Sequence, residues 1–438
     1  MKPNILFLTI DSLRADKFYG PTKTSKTPNI DSLIQRGTYF EQAVSSVDAT
    51  DPSFGCILTG QYPFQTGIDF YKNHAKATLF FSILKEHGYN LYGMIPKKSF
   101  FETITKDFDL IDTYSIDPYA LLYEGTGDRI IEKLSSKTFI SPWLYFLHIM
   151  DLHPTAGKFV YPEQFADDIY GHSKYEKAIS AIDVWIGKIL KNINFNETLV
   201  IVTSDHGDYI PITDKRITDI SNLQNTFKTI KKIFPIAEPI GLKFFILLQI
   251  LIGKYREIKF KKILTPEEMR GFNKRADWYL FDDAVHIPLL LAGYGIDKGL
   301  KISQQVRHVD LLPTVLELIG ADKINVDGVS LVPIINRQFQ EELPAYLESA
   351  TIKKESSGYV IGIRTSKYKY FRSRSDEKQH VHLYNLQDDP SEKNNIAQNE
   401  PMTVRSMERT IKDIRSQFTK TQLKKIIDKN RAKLSLQE

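Results

Sequence analysis

The feature that most restricts the fold of this chain is an alternation. Short, near-continuous apolar runs recur along its first two-thirds, with helical patterns between them. The runs Asn4–Ile10, Tyr89–Ile95, Trp143–Ile149, Leu199–Thr203 and Pro288–Ala292 read as strands covered on both faces. Segments such as Thr78–His87, Tyr175–Asn192 and Leu311–Ile319 read as helices. This alternation predicts an α/β sandwich with a mostly parallel central sheet. In such sheets, ligands bind at the C-terminal ends of the strands, so the polar residues just after each run carry the functional reading.

The pattern changes after about Val332. Tyr359–Arg364, Tyr368–Arg372 and His380–Tyr384 predict a small antiparallel sheet, and Pro401 to Leu434 predicts basic amphipathic helices. The expected organisation is therefore a catalytic domain over 1–335 and a C-terminal α+β subdomain over 336–438. An insertion at about 209–278 interrupts the first. It contains the apolar run Phe244–Ile252, flanked by lysines and Arg256. That run is shorter than the ~20 residues that span a bilayer. A buried helix, a lid and an interfacial contact with an anionic membrane all suit it.

With 58 Lys and Arg against 53 Asp and Glu, the formal net charge is +5. That suits an anionic substrate, while no arginine-rich arm or zinc-finger spacing points to nucleic acid. The single cysteine, Cys56, excludes an intramolecular disulfide and fits a reducing compartment. The apolar run Asn4–Ile10 is too short for a secretion signal and leads straight into Asp11, so a cytoplasmic location is expected. Nothing in the sequence defines an oligomeric state.

Asp11 follows the first strand pattern, Asp151 and His153 follow Trp143–Ile149, and Asp205 and His206 follow Leu199–Thr203. Carboxylates and an imidazole converging on one sheet edge suit a divalent cation; each Asp alone equally suits a turn or a helix cap. Pro52 and Gly60 bound a helix with Thr50 at its start. Thr50 is then either a simple N-cap or a hydroxyl at an anion-binding helix end.

These residues fall within a set of collinear motifs. They are Pro3-Asn4-Ile5-Leu6-Phe7 with Asp11 to Asp16, Thr27-Pro28-Asn29-Ile30-Asp31-Ser32-Leu33, and Pro52-Ser53 with Leu58-Thr59-Gly60-Gln61-Tyr62-Pro63. Then follow Asp205-His206-Gly207, Val309 to Thr314 with Asp327 to Leu331, and Leu383 to Leu386 with Asp389-Pro390-Ser391-Glu392 and Asn395. Together they resemble the sulfatase branch of the alkaline phosphatase superfamily. The resemblance implies an alkaline-phosphatase/sulfatase-like sandwich and a metal-dependent ester hydrolase or transferase.

Departures from that pattern shape the expected chemistry. The family's oxidisable Cys or Ser is Thr50 here, whose Cβ methyl bars the formylglycine aldehyde. Phe54 replaces the motif's arginine, and Ser12 replaces a second aspartate. These changes resemble the threonine-using branch of phosphoglycerol and phosphoethanolamine transferases and related phosphodiesterases. The resemblance then implies one divalent ion, Mn²⁺ or Zn²⁺ ahead of Mg²⁺ or Ca²⁺, on Asp11, Thr50, Asp205 and His206. A second ion on Asp151, His153 and His308 is disfavoured by spacing. Thr50 attacks a phosphoester, most directly a phosphodiester, to give a phosphothreonine, and His153 protonates the leaving group. Asn73, His308, Lys97 and Arg14 are the expected substrate-binding residues, Lys97 being about one residue out of register. The substrate is a small molecule or a lipid-linked head group. The alternatives are a sulfuric ester hydrolase and a non-catalytic metal-binding protein on this fold.

Overall fold

The computed structural model describes residues 2–115, 121–153, 159–210, 258, 262, 269–270, 278–350 and 359–416. The run 244–252 and its membrane contact, nearly all of the insertion, and the chain beyond 416 lie outside the described residues. Residues Met1–Asp208 and Lys274–Glu438 pack as one unit, and Tyr209–Asn273 group as another.

Eight strands form the main sheet: β1 (Asn4–Ile10), β2 (Gly37–Val44), β3 (Asn90–Pro96), β4 (Leu110–Tyr114), β5 (Trp143–Ile149), β6 (Thr198–Thr203), β7 (His286–Gly293) and β8 (Leu300–Arg307). Their order is β4-β3-β5-β1-β6-β7-β2-β8. The pairs from β4 to β6 are all parallel. Strand β7 runs against both β6 and β2, and β8 is parallel to β2. The mostly parallel sandwich expected from sequence is the fold observed.

Strands β1, β5 and β6 are buried along their whole length, which is why they read as continuous apolar runs. Strands β2, β4 and β8 escaped the sequence reading. The outer strands β4 and β8 carry partly exposed polar residues, and β2 is interrupted by a bulge between Phe40 and Ala43. The expected start of a strand at His380 moves to His382.

Helix Thr50–Thr59 is buried at every residue. Phe54 anchors it to the sheet by packing edge-on against Phe146 of β5 at 5.8 Å, and it also meets Phe101 of a neighbouring helix at 5.3 Å. Full burial of one such ring contributes roughly 2–3 kcal/mol. Gly60 ends the helix in the left-handed region at φ 64°, donating its N–H to Cys56 O at 2.9 Å.

A separate antiparallel sheet, β12 (His382–Asn385), β11 (Tyr368–Ser373), β10 (Val360–Arg364) and β9 (Ala345–Glu348) in that order, forms the C-terminal region. A helix follows at 401–416. The sheet is tied to the main body by buried charge. Asp282 accepts from Arg364 Nε and Nη2 at 2.9 and 2.7 Å and from Lys369 Nζ at 2.8 Å. Its backbone N–H donates to Glu392 Oε2 at 2.6 Å, and Glu392 Oε1 lies 3.1 Å from Lys369. Burial pushes the Asp282 carboxyl up, but Arg364 and Lys369 outweigh it and hold the group well below the usual carboxylate range. Among the described residues, no helix is long and apolar enough to cross a membrane.

Candidate active site

The parallel strands deliver their following residues to one edge of the sheet. β1 delivers Asp11, β3 Lys97 and Lys98, β5 His153, β6 Asp205 and His206, and β8 His308. Strand β7 is reversed, so its preceding residues, Asp282 and Asp283, reach the same edge. This topology, rather than proximity in sequence, assembles the site.

Asp11 extends the β1 ladder by donating its N–H to Ile149 O at 2.8 Å. The chain then turns through Ser12, a non-glycine residue at φ 59°. Such a conformation costs on the order of 1 kcal/mol and persists where its surroundings enforce it. Here it aims Ser12 N–H at Asp205 Oδ1, 3.1 Å away, and Ser12 Oγ at Asp11 Oδ1, 2.6 Å away. The Asp205 loop is pinned from below: its carbonyl accepts from Ser45 Oγ at 2.9 Å and Ser53 Oγ at 2.5 Å. Asp205 Oδ1 also accepts from His206 N at 2.9 Å, whereas its Oδ2 is buried with no hydrogen-bond partner.

Thr50 is the first residue of its helix. The N-cap is Ala49, and no side chain caps this end. That removes the N-cap reading of Thr50. Its Oγ1 instead lies 3.4 Å from Asp11 Oδ2 and 3.3 Å from His206 Nε2. His206 Nδ1 is 2.6 Å from Gly207 O, an acceptor only, so Nδ1 carries the proton and Nε2 presents a lone pair toward Thr50. Gly207 is itself held by donating its N–H to Ala284 O at 2.9 Å. A Cβ there would meet Asp283 O at 2.1 Å, so only glycine fits.

Asp11, Thr50, Asp205 and His206 are thus brought together, each no more than 5% exposed. A fifth residue joins them that sequence reasoning missed. His148, inside β5, places Nε2 3.6 Å from Asp11 Oδ2. One ligand atom from each of Asp11, His148 and Asp205 lies within 4.8 Å of the others. Buried, unpartnered acceptor atoms such as Asp205 Oδ2 are costly unless a cation meets them, so this donor set fits a divalent ion.

The remaining expected residues divide. His153 sits at the end of β5 within electrostatic reach of Asp11. His308 is buried beneath the site, its Nδ1 3.2 Å from Ser53 Oγ. Burial pushes His308 down to about 3, so it is uncharged at neutral pH. Arg14 is engaged by Asp16 at 2.8 Å and by Asp283. Asn73 is exposed and donates to Gly67 O at 2.7 Å. Lys97 is exposed, while the next residue, Lys98, approaches Asp51 Oδ1 to 3.9 Å. Asp51, beside Thr50, also has His74 Nε2 3.7 Å from Oδ2, and burial raises its pKa. Lys98, His74 and Asp51 are further residues that sequence reasoning did not single out. Asp151, expected to serve at most a second ion, accepts from Leu122 N at 3.1 Å, and burial pushes it up to about 7.

Comparison with known proteins converges on one family. A sulfatase family model matches residues 3–321, and a model described as N-sulphoglucosamine sulphohydrolase, C-terminal, matches 267–423. Arylsulfatase K of Mus musculus is 22% identical, the match covering 94% of this chain and 79% of the relative. Choline-sulfatase of Rhizobium meliloti (strain 1021) is 34% identical over 29% of this chain and 25% of its own length. Among solved structures, a 2-O GAG sulfatase superposes with a TM-score of 0.67 at 16% identity, covering 96% of this chain and 93% of that one. A phosphonate monoester hydrolase of Agrobacterium radiobacter gives 0.61 at 15%, covering 95% and 96%. The chain belongs to the sulfatase family.

Proposed function

We propose that this chain is a metal-dependent hydrolase that cleaves an ester of sulfate, with Thr50 as the attacking group. One observation carries the site: Thr50 Oγ1 lies within 3.4 Å of both Asp11 Oδ2 and His206 Nε2, beside an unpartnered Asp205 Oδ2. The sulfate ester is the first reading because relatives aligned over 94% of the chain are arylsulfatases. This displaces the phosphoester expected from sequence to second place. A phosphodiester keeps that place on one specific observation: Thr50 stands where an aldehyde-forming residue is needed, and its Cβ methyl bars that aldehyde. Within this second reading an alcohol could replace water as acceptor, making the enzyme a transferase.

Asp11, Asp205 and His206 would hold the divalent ion beside Thr50. The ion, when bound, lowers the proton affinity of the hydroxyl and offsets charge on the ester oxygens. With the Nε2 lone pair of His206 directed to the ion, Asp11 Oδ2, 3.4 Å from Thr50 Oγ1, is the acceptor for the Thr50 proton. The Thr50 oxygen forms a bond to sulfur or phosphorus as the bond to the leaving oxygen breaks. His153 supplies the proton that the leaving oxygen takes up. Water then cleaves the Thr50 ester, restoring the hydroxyl. Lys98 and His74 add positive charge on the Asp51 side of Thr50, so Lys98 takes the substrate-binding role first assigned to Lys97. Buried, unpaired Cys56 supports a reducing, cytoplasmic setting as part of the same proposal.

The test is turnover of an aryl sulfate, an aryl phosphate monoester and an aryl phosphodiester with Mn²⁺, Zn²⁺, Mg²⁺ or Ca²⁺. Metal-dependent sulfate release supports the first reading; phosphodiester cleavage alone selects the second. Metal binding with no turnover on any ester favours a non-catalytic binding protein.

A further inference from the structure

We propose that His148 is itself a ligand of the ion at this site, so that the pocket selects a transition ion such as Zn²⁺, Mn²⁺ or Co²⁺ over Ca²⁺ or Mg²⁺. This rests on the reading above that the cluster around Asp11 holds a metal.

The tautomer of His148 is set by its neighbours. Nδ1 lies 2.9 Å from Thr9 Oγ1, and that hydroxyl is 3.0 Å from Leu147 O. Thr9 donates its one hydroxyl proton to Leu147 O in this arrangement. Thr9 Oγ1 then accepts the proton carried on Nδ1, and Nε2 is left as a lone pair. That lone pair is buried, has no hydrogen-bond partner, and lies 3.6 Å from Asp11 Oδ2. A lone pair facing a carboxylate in a dry interior is repulsive; a cation shared between them turns the contact attractive. His206 is prepared in the same way: its Nδ1 proton is committed to Gly207 O, and its Nε2 faces the same cluster.

The ring of His148 is also immobilised. Phe101 stacks on it at 4.7 Å and 25°, and Phe54 meets it edge-on at 5.1 Å. Two apolar rings exclude water from the imidazole and leave its Nε2 as the polar face toward Asp11. Ser12, which occupies the position after Asp11, supplies a hydroxyl and no second carboxylate. The donor set is therefore two imidazoles, two carboxylates and the Thr50 hydroxyl. Imidazole suits borderline transition ions, whereas Ca²⁺ and Mg²⁺ are held by oxygen-only sets. The assembled donors match the former.

The experiment is metal binding without substrate. Full-length protein stripped with a chelator is titrated calorimetrically with Zn²⁺, Mn²⁺, Ca²⁺ and Mg²⁺. Co²⁺ binding is followed by its visible absorption. Wild type is expected to prefer Zn²⁺ and Mn²⁺ to Ca²⁺. In His148→Asn the Zn²⁺ and Co²⁺ affinities should fall by at least about 10-fold, the loss seen when even an outer partner of a ligand is removed. Ca²⁺ affinity should hold, and the Co²⁺ spectrum should shift. Thr9→Val leaves the ligand in place but removes its orienting acceptor; it should weaken Zn²⁺ by about 10-fold and serves if His148→Asn fails to fold. Wild-type Zn²⁺ affinity and an unchanged Co²⁺ spectrum in both variants overturn the proposal while leaving the metal site standing. A wild type that binds none of these ions overturns the metal reading and this proposal with it.

Discussion

Two clusters of buried charge lie at the same edge of the main sheet, and they are built in opposite ways. Around Asp282 every charge meets its complement: two cations, Arg364 and Lys369, face two carboxylates, Asp282 and Glu392. The remaining Arg364 donors reach Gln305 at 3.0 Å and Gln42 at 2.7 Å. Around Asp11 the backbone of each loop is pinned as tightly, yet among the described residues no Lys or Arg pairs with its two carboxylates: Asp11 Oδ2 and Asp205 Oδ2 face only the imidazoles of His148 and His206, at 3.6 and 3.4 Å, and Asp205 Oδ2 and His148 Nε2 have no hydrogen-bond partner. Leaving a buried polar atom unmet costs on the order of 1–3 kcal/mol. A closed cluster fastens one part of the chain to another. An open one holds donors ready for a ligand that the folded chain does not itself contain.

The sharpest way to break this comparison is to remove one carboxylate from each cluster. Asp282→Ala strands Arg364 and Lys369 and should cost about 3–5 kcal/mol, read by urea unfolding of chelator-treated protein. Asp205→Ala removes a carboxylate that no Lys or Arg pairs with, but it strands the Ser12 and His206 N–H groups, so it should cost less, about 1–2 kcal/mol. Equal losses in the two variants would erase the distinction. Next in size is the effect of metal. Zn²⁺ or Mn²⁺ at 100 times its dissociation constant should stabilise wild type by about 2.7 kcal/mol. The gain should vanish in Asp205→Ala and survive in Lys369→Met.

The smaller effects lie in pH. The folded pKa of Asp282 lies well below 3.8, so its stabilisation is complete above the unfolded value near ~4 and is lost as pH falls further. Wild type and Asp282→Asn should therefore converge in acid. Asp151 is the reverse case. Its folded pKa is raised to about 7, so its ionisation penalises folding above that pH, and the penalty fades as pH falls toward the unfolded value. Asp151→Asn should stabilise by about 2 kcal/mol at pH 8, with partial exposure reducing the full shift, and by little near pH 4. A pH-independent effect would show that the substitution acts through packing.

Much of this arrangement was legible in the sequence. Strands β1, β5 and β6 announced themselves because both faces are covered, and their following residues Asp11, His153, Asp205 and His206 came with them. Thr50 was legible from Pro52 and Gly60, which bound its helix. His148 was not. It lies inside a fully buried strand, where no alternation marks which side chains face the site. The available signal was a lone histidine in the run Trp143–Ile149. Lys98 was missed by one position because β3 ends at Pro96, and in extended chain a shift of one residue reverses the side-chain direction. Asp282 could not be read at all: its partners Arg364, Lys369 and Glu392 are about 80 to 110 residues away.

The most direct test of the central claim, that Thr50 is the attacking group, is the mass of its peptide during turnover. Enzyme mixed with saturating aryl ester and metal is quenched in acid, digested and examined at high mass accuracy, which separates a sulfated from a phosphorylated residue. The account predicts that a fraction of the peptide bearing Thr50 carries the transferred oxyacid, and that Thr50→Ala neither turns over nor becomes labelled. An unlabelled Thr50 together with sustained turnover in Thr50→Ala would contradict it.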